Sequence, residues 1–313
     1  MMLALSLLAC VPLPYDDDFA SSMQIVTVTA DPPQVAPFEP IELTAWVADP
    51  YDRGTEVMIW PCSPVQVTPE RLRCFEGLDL EGRGIALSAF TRVGLATDEH
   101  FGASVLPPIQ SVLALQEAGE ALAEDGLPVP VFVLACDPGV CEIFDLVRAD
   151  PEPGSEAYAR AARLLADPEQ LSDQGPRDQV ALALKFYTLA GEATERTSVP
   201  TLLPLARRQV PSVDLIRWRF LVQDSSPEAQ EALDWQVDLR YTTGRVVQRT
   251  FVDGELEVTW SPMGADREGS LVLAVSDGRG GVSATSVDLP VEVGWVAEPD
   301  EPEPEPDVPD LGP

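Results

Sequence analysis

The sequence predicts a mainly β protein with two consecutive β-sandwich domains, the first of which carries helical insertions between its strands. Three observations lead to this prediction. Short stretches rich in apolar and β-branched residues follow one another, and proline, glycine or aspartate ends most of them. The chain has 313 residues, which is enough for two domains. Its 31 prolines, roughly twice the average share, favour loops and edge strands over helix interiors.

Three short strands are predicted at the start of the first domain. Residues 24–30 are rich in β-branched side chains, and an Asp-Pro-Pro sequence ends the run. Residues 41–48 alternate, so that every second side chain lies on one apolar face, and residues 56–60 form a third strand before a proline. Strands of this length, separated by proline and aspartate, favour two sheets packed on each other.

Two segments of helical periodicity interrupt the strands. Residues 107–126 are rich in Ala, Glu and Gln. Residues 155–173 predict a second helix, with Ser155 as its N-cap. The patterns of residues 129–136 and 178–190 again indicate strands. The helices are therefore predicted to be insertions within a sandwich.

A proline-bounded stretch, residues 193–211, is predicted to link this domain to a second one. Residues 212–294 contain six or seven strand patterns, the number found in one sandwich of immunoglobulin size. Trp218, Trp235 and Trp260 fall within these patterns, and we expect them to be core or edge aromatics.

Two stretches resemble known extracellular modules. Residues 30–46, with the pattern A-D-P-P-x-V-x-P-x-E-P-I-E-L-T-A-W, resemble bacterial immunoglobulin-like domains, which often carry a glycine at the position of Phe38. Residues 271–293 resemble the last hairpin of bacterial PKD-like modules. This resemblance implies a fold and an extracellular location, but no ligand. The glycines of the hairpin turn supply the positive φ that a tight turn requires. The predicted turn residues are Asp277, Gly278, Gly280 and Gly281.

The N-terminal region contains a short apolar run that ends in a cysteine. Residues 3–9 are too few to span a bilayer, which takes about 20 residues. The sequence Leu7-Leu8-Ala9-Cys10 resembles the lipobox of bacterial lipoproteins. The resemblance implies a signal peptide cut before Cys10 and a lipid, with palmitate among its acyl chains, on the Cys10 sulfur. The alternative is an ordinary buried N-terminal strand, since no Lys or Arg precedes the run.

The residues after Cys10 predict a flexible tether and an outer-membrane location. They include two prolines and three consecutive aspartates, which cannot bury enough apolar area to offset the entropy of ordering. Val11 stands where an aspartate retains lipoproteins of enteric bacteria in the inner membrane, so the resemblance implies the outer membrane. The predicted organisation has six parts: signal peptide (1–9), lipidated cysteine and tether (10–23), first sandwich (24–192), linker (193–211), second sandwich (212–294) and a disordered, acidic, proline-rich tail (295–313).

If Cys10 carries lipid, four of the five cysteines remain to pair in an oxidising compartment. Three pairings are possible. We favour Cys136–Cys141, because the Asp-Pro-Gly sequence between them is strong turn chemistry, and this leaves Cys62–Cys74. The alternative is a zinc site with four cysteine ligands, but the eleven residues between Cys62 and Cys74 exceed the usual two to four within a ligand pair.

The charge of the chain limits its partners. It has 52 acidic and 20 basic side chains, for a net charge of −32, which repels nucleic acid and anionic lipid headgroups. Apart from the membrane that holds the lipid, we expect an unknown protein or glycan as partner. No cofactor is expected, except in a variant of the hypothesis in which calcium binds Asp214, Asp224 and Asp253.

The sequence contains no recognisable catalytic constellation. His100 is the single histidine, and no Gly-x-Ser-x-Gly sequence is present. We therefore predict a non-catalytic protein that binds or scaffolds through its immunoglobulin-like domains. The alternative is an envelope hydrolase whose active site lies around His100, in the helical insertion at about residues 76–176.

Overall fold

The structure is a computed structural model. It describes residues 18–62, 86–89, 91–118, 126–167, 169–190, 200–210, 215–223, 235–252, 254–262, 268–276 and 281–290, together with the backbone of 67–68 and 71–72. Over these residues the protein is mainly β, as predicted, with helices between strands in its first part.

The N-terminal part of the described chain forms two sheets packed face to face, here called the first sheet pair. The strands are β1 (Gln24–Asp31), β2 (Gln34–Val35), β3 (Ile41–Ala48), β4 (Glu56–Pro61), β5 (Val67–Thr68), β6 (Arg71–Leu72), β7 (Arg92–Leu95), β8 (His100–Val105), β9 (Leu127–Cys136) and β10 (Val180–Leu189). One sheet has the strand order β1-β3-β8 and the other has the order β2-β10-β9-β4-β7, while β5 and β6 form a separate two-stranded ribbon.

The core between these two sheets follows from side-chain alternation. The predicted apolar face of β3 is confirmed, and it packs against alternate residues of β4 and β9. These core side chains are Ile41, Leu43, Ala45 and Val47 of β3, Val57 and Ile59 of β4, and Val129, Val131, Val133 and Ala135 of β9.

Helices cover the outer face of the larger sheet. Phe132 and Leu134 of β9 point away from the first core and pack against helical residues that include Phe144 and Tyr158. Because β9 is buried on both faces, its sequence is apolar without interruption. The predicted cap of the helix Glu156–Ala166 is confirmed, since Ser155 Oγ accepts a hydrogen bond from the Tyr158 amide at 3.2 Å. The helices are α1 (Ile109–Ala118), α2 (Glu142–Arg148), α3 (Glu156–Ala166) and α4 (Glu169–Ser172).

The favoured disulfide is present between Cys136, at the end of β9, and Cys141, just before α2. Gly139 has φ +76° in the turn that joins them, and the Val140 amide donates to the Asp137 carbonyl at 3.1 Å. Cys62 is also disulfide-bonded, whereas Cys74, the partner that the sequence predicts for it, and Cys10 lie outside the described residues.

The C-terminal part forms the second sheet pair. One sheet has the order β11-β12-β15-β14 and the other has the order β13-β16-β17. The predicted pairing of the last two strands is confirmed, while Asp277, Gly278 and Gly280 of the turn between them lie outside the described residues; Gly281 directly precedes the last strand. The strands are β11 (Thr201–Val210), β12 (Leu215–Gln223), β13 (Gln236–Tyr241), β14 (Arg245–Val252), β15 (Glu255–Ser261), β16 (Gly269–Ser276) and β17 (Val282–Leu289).

Two tryptophans occupy the core of the second sheet pair. Trp218 and Trp260 are buried, and their ring centroids lie 6.2 Å apart, whereas Trp235 is partly buried at the edge. Trp260 Nε1 donates to the Thr243 carbonyl at 2.8 Å, next to Gly244. A Cβ on Gly244, which has φ +65°, would lie 2.4 Å from the Trp260 ring, so the turn requires glycine.

Two predicted boundaries differ from the structure. Residues 201–210 of the predicted linker form β11, which pairs with β12 along its whole length, and Pro204 lies at an irregularity of that pairing. The proline interrupts the alternation that would have indicated a strand. Residues 18–23 of the predicted tether pack against both sheet pairs, because Ala20 and Met23 are buried despite the polar residues before them.

Candidate functional site at the junction of the two sheet pairs

The two sheet pairs contact each other through small apolar side chains. Ala48 and Val26, from β3 and β1, pack against Val272 and Ala274 of β16. Small side chains let the two backbones approach closely, and Trp46 covers the edge of the contact. The two units are therefore packed on each other along strands.

Residues 18–23, here called the strap, cross this junction. Phe19 forms a parallel bridge with Tyr241 at the edge of β13, and their rings lie 5.5 Å apart. The Ala20 amide donates to the Tyr241 carbonyl at 2.9 Å. Met23, only three residues later, lies in the core of the first sheet pair. The strap thus contacts the second sheet pair at one end and the first at the other.

Arginine side chains hold the outer end of the strap. Asp18 is 9% exposed, and its carboxylate lies 3.2 Å from Arg249 and 3.6 Å from Arg240. Arg240 also donates to Gln24 Oε1 of β1 at 2.9 Å and lies 2.9 Å from Asp238. A carboxylate this buried needs such partners, because an unpaired buried charge is costly.

Lys185, the one lysine of the chain, lies beside the same junction. Its Nζ donates to the Val26 carbonyl at 3.3 Å. Burial lowers the pKa of its ammonium from the ordinary value, and this effect is opposed by Asp238 and reinforced by Arg240. Lys185 is thus part of the mixed charge network that joins the two sheet pairs.

An acidic cavity opens between the two sheet pairs. It has a volume of about 330 Å³. Its described lining carries carboxylates from both sheet pairs and the guanidinium of Arg207, so the cavity attracts a cationic group and repels an anionic one. These charged residues are Asp49, Asp52, Glu99, Glu268, Asp288 and Arg207.

The burial of Glu99 and the carboxylates near it affect its ionisation. Burial raises the pKa of its carboxyl above the ordinary value of 4.5, and the charges of Asp288, Asp52 and Asp98 raise it further. A hydrogen bond with Ser270 acts in the opposite direction. The ionised form of Glu99 is therefore destabilised in the folded protein.

The carboxylate of Asp49, which also lines the cavity, accepts hydrogen bonds from its own loop. Its Oδ1 accepts from the Tyr51 amide at 2.9 Å, and its Oδ2 accepts from the Arg53 amide at 3.1 Å and from Thr55 Oγ1 at 2.9 Å. Arg53 in turn lies 2.6 Å from the buried Asp137. These contacts fix the shape of the cavity wall.

Among the residues that the structure describes, no group of three His, Cys, Asp or Glu side chains is close enough to hold a metal ion. The three carboxylates of the calcium hypothesis, Asp214, Asp224 and Asp253, lie outside the described residues.

His100 lies in a β-hairpin, so its predicted place in a helical insertion is wrong. Asp98 and Glu99 have φ +50° and +60°, and reciprocal hydrogen bonds between Thr97 and His100 close a two-residue turn between β7 and β8. The His100 ring stacks on Trp46, with centroids 5.0 Å apart, and His100 Nδ1 lies 3.1 Å from the Asp98 carbonyl oxygen. That carbonyl also accepts from Ser286 Oγ of β17 at 3.0 Å. Through this carbonyl the turn contacts β17 of the second sheet pair.

Sequence reasoning missed the junction, although one signal of it is present. Residues 271–275, Leu-Val-Leu-Ala-Val, are apolar without interruption, which indicates a strand buried on both faces. In the structure Leu271 and Leu273 enter the core of the second sheet pair, while Val272 and Ala274 face the first. The carboxylates of the cavity gave no such signal, because acidic residues occur throughout this chain.

Comparisons with known proteins give no close relative. No family model matches the chain, and no curated protein matches it. Solved structures with weak similarity include dimeric latent PorU from Porphyromonas gingivalis, with 9% identity and a TM-score of 0.24 over 88% of this chain. The chain covers 24% of that PorU chain. Another is a chimeric titin Z1Z2 functionalised with a decorin peptide, with 10% identity and a TM-score of 0.23 over 86% of this chain and 99% of the titin chain.

Helices in the described residues are all too short or too polar to cross a bilayer.

Proposed function

We propose that this chain is a lipid-anchored, non-catalytic protein of the bacterial cell envelope, which binds or scaffolds other envelope components through two immunoglobulin-like sheet pairs. The observation that carries the proposal is the junction. The two pairs share a packed apolar contact, a charge network around Arg240 and a strap that contacts both. A body of this kind presents its surfaces in one fixed arrangement, which suits a scaffold or a binding protein.

The lipid anchor rests on the Leu7-Leu8-Ala9-Cys10 sequence. It agrees with the cysteine pairing, because the Cys136–Cys141 disulfide belongs in an oxidising compartment beyond the inner membrane. Two or more acyl chains on Cys10 would hold the body stably at a membrane, since each buried CH₂ contributes about 0.8 kcal/mol. The non-catalytic role agrees with the contacts of His100, which are an aromatic stack and a backbone carbonyl.

Metabolic labelling with palmitate and membrane fractionation test the proposal. The native protein is expected to carry label and to sediment with membranes, whereas Cys10→Ala is expected to lose both. Ser6→Ala, which changes the apolar run outside the four lipobox residues, is the matched control and should behave like the native protein. An unlabelled, non-sedimenting native protein would overturn the proposal.

A further inference from the structure

The strap brings the N-terminal side of the chain to one edge of the second sheet pair. Asp18 lies against Arg240 of β13 and Arg249 of β14, the edge strands of the two sheets, and Phe19 forms its bridge with Tyr241 of β13. Edge strands expose unpaired backbone groups, and the strap covers part of β13 by pairing with Tyr241. The position at which the chain leaves the described body is therefore fixed by contacts rather than free.

The distance from this edge to the lipidated cysteine is short. Seven residues separate Cys10 from Asp18, so their Cα atoms can be at most about 28 Å apart when the chain is fully extended. A folded body of roughly 270 residues has a diameter on the order of 50 Å. A tether shorter than the body it holds cannot let every face of that body approach the membrane equally.

The charge at this edge permits close approach to lipid. The chain as a whole is strongly acidic, but among the described residues around the outer end of the strap three basic side chains face two aspartates: Arg240, Arg249 and Lys185 against Asp18 and Asp238. The described part of this edge thus carries no excess of acidic groups, so phosphate headgroups repel it less than they repel the rest of the chain. Three apolar side chains are also exposed at this edge: Phe19, Val247 and Val252.

Resting on the lipid anchor proposed above, we propose that the strap orients the body on the membrane. The edge formed by β13, β14 and Asp18 faces the phospholipid surface, whereas α2 and α3, which cover the outer face of the larger sheet of the first pair, do not contact it. The partner of this edge is the headgroup layer of a bilayer. Asp18 is the positioning residue, because its two arginine contacts hold the strap in place.

The docking of the strap can be tested without the lipid, by hydrogen–deuterium exchange of the Cys10→Ala protein. The Ala20 amide, bonded to Tyr241, is expected to be protected. Asp18→Asn should speed exchange in residues 18–23 about tenfold, because a charge-assisted contact is lost. The matched control is Asp238→Asn, which removes a carboxylate from the same arginine but leaves the strap contacts in place. Unchanged protection of β9 shows that both variants are folded.

The orientation is tested on the lipidated protein bound to phosphatidylcholine vesicles. Relative to the protein in detergent, exchange should slow in the strap, β13 and β14 and stay the same in α2 and α3. In lipidated Asp18→Asn the slowing of exchange in the strap, β13 and β14 should be about tenfold smaller, so that the exchange rates there approach those in detergent. Equal slowing over all faces, or no slowing at the strap edge, would overturn the proposal.

The two assays separate this proposal from the lipid anchor itself. If the native protein carries no lipid, the anchor fails and the orientation on the membrane fails with it, but the strap assay still reports whether Asp18 holds residues 18–23. If the protein is lipidated and Asp18→Asn changes neither assay, the anchor stands and the orienting role of the strap is wrong.

Discussion

Arg240 donates a hydrogen bond from Nε to Oε1 of Gln24 at 2.9 Å, although the two residues lie 216 positions apart in the chain. The same guanidinium lies near Asp18 of the strap and Asp238 of its own strand. One side chain therefore joins the first sheet pair, the second sheet pair and the strap. This contact makes the strap and the two sheet pairs parts of one network.

Replacing Arg240 by alanine is expected to lower the free energy of unfolding by about 1–3 kcal/mol, because Asp18 and Gln24 lose a charged partner. Urea denaturation of the two proteins measures the difference. Arg160→Ala is the control, since its ion pair with Glu142 is exposed and should contribute less than about 1 kcal/mol. Equal effects of the two substitutions would show that the Arg240 network contributes no more than an exposed ion pair.

Glu99→Gln is expected to stabilise the protein at neutral pH. The pKa of Glu99 is raised in the folded state, so its contribution to stability is present below about pH 4.5 and is lost as the pH rises through the raised pKa. Glutamine removes the charge that burial and neighbouring aspartates disfavour. The advantage of the variant, measured by thermal unfolding across pH, should therefore shrink as the solution is acidified. Glu42→Gln, at an exposed position of β3, is the control; a Glu99→Gln effect that is flat with pH would contradict the explanation.

His100 is predicted to act through its ring rather than through proton transfer. His100→Phe keeps an aromatic partner for Trp46 and should retain stability close to that of the native protein. His100→Ala should lose roughly 0.5–1.5 kcal/mol, the usual contribution of an aromatic pair. If Phe destabilises the hairpin as much as Ala does, the stack with Trp46 is not the reason for the histidine.

Phe38 occupies a position at which the modules that residues 30–46 resemble often carry glycine, and its backbone conformation favours glycine. Its φ is +68°, in the left-handed region, and its side chain is 65% exposed, so little packing compensates for the strain. Phe38→Gly is expected to raise the free energy of unfolding by about 0.5–1 kcal/mol. Phe38→Ala removes the ring but keeps the Cβ, so it should leave stability nearly unchanged. If both substitutions raise the free energy of unfolding equally, the exposed ring of Phe38 lowers the stability, and the strained backbone does not.

The regular strands could be predicted from the sequence because their periodicity is local. Residues 41–48 alternate between a core face and an outer face, and β3 has these bounds in the structure. Ser155 could be predicted as a cap for the same reason, since the contact spans three residues. The β8 strand was missed because its sequence, His-Phe-Gly-Ala-Ser-Val, has neither clear alternation nor a continuous apolar run.

The junction could not be predicted because its contacts depend on the assembled fold. Asp18 appears as the last residue of a polar run, and only the approach of Arg240 and Arg249 turns it into a docked residue. The acidic cavity likewise exists only when loops of both sheet pairs meet. Periodicity describes which face of a strand is buried, but not which other unit covers that face.

The most direct test of the lipid anchor is the mass of the N-terminal peptide of protein purified from membranes. The account predicts a peptide that begins at Cys10 and carries the mass of a diacylglycerol on its sulfur. A peptide in which Ala9 still precedes an unmodified Cys10 would contradict the lipid anchor, and with it the proposed location and orientation of the body.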